Sequence, residues 1–247
     1  MNCFYNAFNE NGLNLTDNVF AGGVGCAARI PMYIRGDMLH TIHGRAIPFA
    51  TGLKLANPKL DVTIFSGDGD LGAIGGNHLI NGCRRNVDMT VICVNNNTYG
   101  MTGGQMSTTT PHGYFSTTSR EGNPEYPFDL SMLAAAAGAN YVARWTVLDV
   151  NELVKSMGKA LQKRGFAFVE VVSPCPTAFG RRNEMGDPVQ QLEWLKKITV
   201  RREKIEDKER DKMGLNFQGL ISVGEFVDRN RPSLHEVLSR KRGGAKQ

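Results

Sequence analysis

Two short polar motifs hold the residue types best suited to grip a cation and an anion together: Gly67-Asp68-Gly69-Asp70 and Asn95-Asn96-Asn97. The carboxylate of Asp68 and the side-chain amide of Asn96 offer two hard oxygen ligands. The backbone carbonyl of Thr98, just beyond, offers a third. Mg²⁺ takes such oxygens in a near-octahedral array and leaves positions for substrate phosphates. Gly67 and Gly69 let a diphosphate approach the backbone, and the helix after them aims its amino end at that charge.

The segments around these motifs must bring them together. Val62–Phe65 reads as a buried strand, Ile74–Arg85 as a helix and Met89–Val94 as a second strand. In a parallel α/β sheet both polar turns then open at the carboxyl ends of neighbouring strands, where ligands bind. Asn18–Ala21, Tyr141–Arg144 and Ala167–Val172 supply three more strands, giving five of parallel type. Helices are expected over residues 3–11, from Arg45 to Leu55, over Leu130–Gly138, and from Asp149 to Lys163 with Asp149 and Glu152 as a capping box. The pattern predicts an α/β fold with a doubly wound, mainly parallel sheet. Gly22–Cys26, after the first strand, suits either a backbone packed close to a ligand or an ordinary tight turn. Tyr99–Thr118 is a long polar loop joined to the ligand turn, which favours a functional role. Residues 1–180 are expected to form the α/β domain, and 181–247 a charged extension packing on that domain or on a partner subunit. The extension carries an apolar stripe at Trp194, Leu195, Ile198 and Ile205, and its end, RKRGGAKQ, is expected to be disordered.

At 247 residues the chain is long enough for one large domain, and 41% apolar with 21% charged residues is ordinary for a globular protein. No apolar run reaches the length needed to cross a bilayer, and the amino terminus lacks the pattern of a signal peptide, so a cytoplasmic protein without membrane contact is expected. A net charge of +5 is too mild to name nucleic acid as a partner. Five cysteines, an odd number, argue against a disulfide framework. Cys83 and Cys93 fall inside a helix and a strand and read as small buried hydrophobes.

GDG followed by NN resembles the thiamine diphosphate motif. The wider wording, GDGDLGAIGGNHLINGCRRN and VNNNTYGMTGGQMSTTTP, resembles the β subunit of 2-oxoacid:ferredoxin oxidoreductases, from about Gly22 to Asp228. The resemblance implies the diphosphate-binding half of a thiamine diphosphate fold. It implies Mg²⁺ on Asp68, Asn96 and Thr98, and cofactor contacts from Gly25, Cys26, His43, Gly67, Gly69, Asp70, Gly100 and Met101. His43 enters through HGRAIPFATG, which is similar to the family's HGRA…ATG segment, whose histidine faces the cofactor. It further implies coenzyme A-dependent oxidative decarboxylation of a 2-oxoacid, with electrons passing through a [4Fe–4S] cluster to ferredoxin. The mild positive charge suits an acidic partner of that kind. The glutamate that activates the cofactor belongs to a separate pyrimidine-binding domain. An α subunit is therefore expected to complete the site, and the isolated chain to be inactive.

Four cysteine thiolates hold such a cluster. GVGC at Cys26 and SPCP at Cys175 match two of the family's ligand settings, and the CxxC that supplies the other two is absent. By alignment it would lie just before Met1, so a shortened amino terminus is expected, and the sequence as given lacks a complete ligand set. SPCPTAFGRRN is most similar to 2-oxoglutarate-type members, with pyruvate and branched-chain 2-oxoacids left open, and Arg181 or Arg182 either holds a distal carboxylate by a bidentate pair or is a surface charge or a contact to the α subunit. Two other readings stay open: half of a non-oxidative thiamine diphosphate decarboxylase, or a non-catalytic assembly or nucleotide-binding subunit with a chance GDG.

Overall fold

The computed structural model describes residues 1–205, 215–217 and 219–244, with no side-chain detail at 215–217 and 242–244. Continuous β-branched and aromatic runs form its central strands, which are covered on both faces. In chain order the strands are β1 (Asn18–Gly22), β2 (Asp37–His40), β3 (Asp61–Gly67), β4 (Met89–Asn95), β5 (Thr98–Tyr99), β6 (Gln105–Met106), β7 (Tyr141–Thr146), β8 (Phe166–Val172), β9 (Thr199–Arg201), β10 (Leu215–Phe217) and β11 (Leu220–Asp228). The helices are α1 (Asn2–Glu10), α2 (Ala46–Ala56), α3 (Gly76–Arg85), α4 (Leu130–Ala137), α5 (Val150–Gln162), α6 (Pro188–Ile198) and α7 (Leu234–Gly244). The sheet runs β10-β11-β7-β8-β4-β3-β1-β2, with β9 beside β11 and β5-β6 as a separate small hairpin. From β7 to β2 all pairings are parallel, while β11 joins β7 antiparallel. This is the doubly wound sheet that the strand pattern predicts.

Alternation along the strands builds two cores. Phe20, Phe65 and Ile92 point to the face covered by α1 and α5, where they meet Phe4, Phe8, Leu153 and Met157. Ala21, Ile64, Val91 and Cys93 point to the face covered by α2, α3 and α4, with Ile47, Leu79, Cys83 and Leu130. Cys83 and Cys93 are fully buried, and burial pushes both thiols well above their ordinary range. With both faces covered by helices, the carboxyl ends of the strands are where this fold opens to ligands.

Several local expectations change. β2 is an additional parallel strand at the sheet edge, with mostly exposed side chains. The capping box at α5 does not form: Asp149 Oδ2 instead accepts the Thr146 amide and hydroxyl, at 2.9 and 2.7 Å. Arg201 draws Glu152 away, at 3.2 Å. A true capping box starts α6, where Asp187 and Gln190 bond reciprocally and Pro188 opens the helix. Past residue 181 the chain returns to the sheet through β11. α7 runs to Gly244, into the stretch expected to be disordered. The rest of that stretch, and the charged segment after Ile205, lie outside the described residues. Among the described residues no helix is long and apolar enough to cross a membrane.

Candidate functional site

The loops after β1, β2, β3 and β4 meet at the carboxyl end of the sheet around a cleft of about 290 Å³. Its lining includes Gly25 and Cys26 after β1, His43 after β2, Gly67 to Asp70 after β3, and Asn96, Thr98, Gly100 and Met101 after β4. The eleven residues singled out for cofactor and Mg²⁺ are thus brought together by adjacent parallel strands.

Asp68 sits at the floor, 1% exposed. Its Oδ2 accepts the Ser107 hydroxyl and, at 2.5 Å, the Thr109 hydroxyl. Its Oδ1 faces outward, where the Asn96 amide N–H reaches it only at 3.4 Å. The Asn96 side-chain oxygen lies 3.1 Å from Asp68 Oδ1 and 2.7 Å from the Thr98 carbonyl. The Asn96 side-chain amide thus stands between the Asp68 carboxylate and the Thr98 carbonyl, and the latter also accepts the Gly100 amide at 3.0 Å. Turning the Asn96 amide would satisfy its neighbours with N–H groups; a divalent cation would satisfy all three oxygens as they stand. The donor set is all oxygen with one carboxylate, which suits Mg²⁺. Burial pushes the Asp68 carboxyl above its ordinary value, against the pull of the Ser107 and Thr109 hydroxyls. A bound cation would favour the charged form.

Asp70 works differently. Its carboxylate, 3% exposed, accepts from His43 Nδ1, from the Gly44 amide at 2.7 Å, from the Val24 amide at 3.3 Å and from the Ser66 hydroxyl. With its acceptor capacity taken up by protein donors, Asp70 fastens the loops after β1, β2 and β3 to one another. The resemblance implies a cofactor contact for Asp70, whereas in this geometry it shapes the turn. His43 is orientated by it and meets Tyr99 edge to face at 5.9 Å. Tyr99 in turn donates to the Gly69 carbonyl at 3.1 Å, and a Cβ on Gly69 would come within 2.4 Å of its ring. Glycine at 69 therefore admits the Tyr99 ring. At Gly67 the nearest atom to an added Cβ is 3.9 Å away, which leaves room for a ligand.

The remaining candidates lie apart from the cleft floor. Cys26 is exposed at the cleft wall. Cys175 is buried, with Sγ 3.8 Å from the Thr177 hydroxyl and packed against Gly100. Cys3 packs into the core through α1. Among the described residues no three His, Cys, Asp or Glu side chains are grouped to hold a metal, so these residues do not form a four-thiolate cluster site. Arg181 and Arg182 are exposed and line no part of the cleft. The wide helical turn Pro176–Gly180 buries Phe179 and Gly180, the latter against Gln191, and the two arginines beyond it face solvent.

Sequence reading missed Ser107 and Thr109, which look like any polar loop residues until the fold buries them. It also missed a charged network behind the site. Arg144, wholly buried, bonds Glu170 at 2.8 Å and pairs with Asp129, and Glu170 accepts Ser131 at 2.6 Å and Asn95 at 2.8 Å. The signal was present: one charge inside each of YVARWT and FAFVEVV, strands otherwise apolar enough to be buried.

A family model described as thiamine pyrophosphate enzyme, C-terminal TPP binding domain, matches residues 23–171, the segment that builds the cleft. Fold, site and match together define a thiamine diphosphate-binding enzyme domain. The 2-oxoglutarate synthase subunit KorB of Methanothermobacter thermautotrophicus is 50% identical over 238 residues, covering 96% of this chain and 82% of that protein. The protein of the same name from Methanocaldococcus jannaschii is also 50% identical over 238 residues, covering 96% and 87%. A solved 2-oxoglutarate:ferredoxin oxidoreductase from Magnetococcus marinus, with 2-oxoglutarate, coenzyme A and succinyl-CoA bound, superposes with a TM-score of 0.87 at 28% identity, covering 99% of this chain and 82% of that one. The chain belongs to the β subunits of the 2-oxoacid:ferredoxin oxidoreductases.

Proposed function

We propose that this chain carries the thiamine diphosphate and Mg²⁺ site of a 2-oxoglutarate:ferredoxin oxidoreductase and works as the β subunit of a hetero-oligomer. The observation that carries the reading is the convergence of Asp68, the Asn96 side-chain amide and the Thr98 carbonyl, the amide lying 3.1 Å from Asp68 Oδ1 and 2.7 Å from the carbonyl, at the floor of the cleft lined by Gly67, Gly69 and Gly100. These three would hold Mg²⁺. Gly67, Gly69, Gly100 and Met101 would receive the diphosphate and the ring that follows it, and Gly25, Cys26 and His43 would close the other wall. Bound there, the cofactor supplies a nucleophilic ring carbon and an electron sink for decarboxylating a 2-oxoacid in the presence of coenzyme A. The chain's own residues hold the cofactor, exclude water through the apolar wall of Val24, Ala27, Val94 and Met101, and orient His43 through Asp70. The activating glutamate would come from an α subunit with a pyrimidine-binding domain.

2-Oxoglutarate is preferred because the relatives at 50% identity carry that name. The distal carboxylate needs a partner other than a cleft-lining lysine or arginine. A [4Fe–4S] cluster feeding ferredoxin would use Cys26 and Cys175 with two further thiolates from outside this sequence. The second reading is a non-oxidative decarboxylase half, in which no electrons pass to an acceptor. The test is co-expression with the α subunit. Stabilisation by Mg²⁺ with thiamine diphosphate but not by nucleotides, coenzyme A-dependent reduction of ferredoxin by 2-oxoglutarate, and iron and sulfide in anaerobic analysis are expected. Aldehyde release without reduction of an acceptor would replace the oxidative reading by the non-oxidative one. Absence of any stabilisation by the cofactor would refute both.

A further inference from the structure

The fold treats the two oxygens of Asp68 differently. Oδ1 looks toward the Asn96 side chain, 3.1 Å away. Oδ2 looks into the protein and takes two hydroxyl donors, Ser107 and Thr109, which are 3% and 0% exposed. Those donors sit on a turn that is itself held. The Thr109 amide donates to Ser107 Oγ at 3.1 Å, and the Ser107 amide donates to Thr110 Oγ1 at 2.9 Å. The Thr110 hydroxyl donates to the Asn97 carbonyl at 2.7 Å, which ties the turn to the ligand loop. Thr109 Oγ1 also lies 3.0 Å from Asn95 Oδ1, and Asn95 is anchored through its Nδ2 to Glu170 at 2.8 Å. Neither hydroxyl is free to follow Asp68 if the carboxylate turns.

We infer that Ser107 and Thr109 are positioning residues that keep Asp68 a one-oxygen ligand and thereby make the cofactor site select Mg²⁺ over the larger Ca²⁺. Mg²⁺ demands a regular octahedron of short bonds, whereas Ca²⁺ takes more oxygens at longer range and often takes both oxygens of one carboxylate. A carboxylate whose inner oxygen is occupied by two fixed donors cannot give both oxygens to one ion. Removing the donors frees Oδ2 to rotate outward, which helps Ca²⁺ and spoils the geometry Mg²⁺ needs. The inference rests on Asp68, Asn96 and Thr98 being the cation ligands.

The experiment uses the complex of this chain with its α subunit, in a fixed excess of thiamine diphosphate, and titrates Mg²⁺ and Ca²⁺ separately by calorimetry. Wild type, Ser107→Ala, Thr109→Val, the double variant and Thr109→Ser are compared, each with a thermal scan. The double variant should lower the Mg²⁺ to Ca²⁺ affinity ratio about tenfold. Ser107→Ala alone should lower it about threefold, which decides the matter if the double variant does not fold. Thr109→Ser, which keeps the hydroxyl, should hold the wild-type ratio. Loss of both affinities by the same factor, with the ratio unchanged, would mean that the hydroxyls only stabilise the loop and would overturn the inference. Failure of the wild type itself to bind either cation would instead remove the ligand assignment on which it stands.

Discussion

Gly23→Ala should unfasten the cleft although Gly23 neither ligates nor lines it. A Cβ at position 23 would lie 1.9 Å from Asp70 Oδ2, 2.6 Å from Cγ and 2.8 Å from Oδ1. The carboxylate must therefore retreat by about 1 Å or more to reach ordinary contact distance. It cannot do so cheaply, because it is buried and accepts from Val24, Gly44, His43 and Ser66. The Val24 bond, already 3.3 Å, is lost first, and the 2.7 Å Gly44 bond stretches toward its limit. Hydrogen bonds to a charged group contribute about 1.5–3 kcal/mol each, so losing one and weakening a second costs about 3 kcal/mol. For a chain of this size that is a fall in Tm of roughly 6–12 °C. The assay is a thermal scan of the purified chain without cofactor. Gly52→Ala is the control: it lies within α2, its Cβ meets nothing within 4 Å, and it should stabilise by about 0.5–1 kcal/mol. In Gly23→Ala/Asp70→Ala the two losses should add to less than their sum, since each removes the same bonds. A Gly23→Ala protein melting within about 2 °C of wild type would refute the account of Asp70 as the fastening.

Burial raises the Asp68 carboxyl above its usual value. In the metal-free chain its contribution to stability is therefore present below the ordinary carboxylate range and lost as pH rises through the raised value. The Tm of wild type minus that of Asp68→Asn, without metal, should fall from acid toward neutral pH, and a flat difference counts against it. Arg144→Met leaves Glu170 charged and buried without its partner and should cost about 3–5 kcal/mol in urea unfolding. Adding Glu170→Gln should recover part of that loss, and no recovery would mean that packing rather than charge is the cause. Chelating divalent cations should abolish stabilisation by thiamine diphosphate in a thermal scan, whatever the cofactor concentration within reach. Retained stabilisation would point to a phosphate grip that does not use Asp68.

What was legible in the sequence was short in range. GDG and NN each sit in one turn, and the apolar runs on either side place those turns at strand ends, so the convergence of Asp68, Asn96 and Thr98 follows from local pattern and sheet rules. β2 was not legible because Asp37-Met38-Leu39-His40 has no alternation and little burial, and the edge of the sheet recruits it by backbone bonds with only Leu39 packed on the core. The capping of α5 went wrong because Arg201, far away in sequence, competes for Glu152. Arg181 and Arg182 have the right chemistry for a carboxylate, and only the turn before them decides that they face solvent. Ser107 and Thr109 lie in a run of hydroxyl residues where nothing distinguishes the two that bond Asp68.

The charge balance of the cleft is the reason a metal would matter there. Asp68 and Asp70 are two buried carboxylates two positions apart, and a diphosphate would bring further negative charge to the same place. Among the described residues that line the cleft there is no lysine and no arginine. Asp70 is offset by amide, hydroxyl and imidazole donors inside the protein, which leaves its bonds little to give outward. The helical turn that begins beyond Gly69 offers backbone N–H groups at its amino end, a partial positive charge of roughly half a unit. That is too little to offset a diphosphate beside a carboxylate. A divalent cation shared by Asp68, Asn96, Thr98 and the phosphate oxygens would restore the balance, and it would do so where the Asn96 side chain meets the Asp68 carboxylate and the Thr98 carbonyl. Metal and cofactor should therefore bind as a pair, each weak without the other, because the chain supplies the geometry for both but the positive charge for neither.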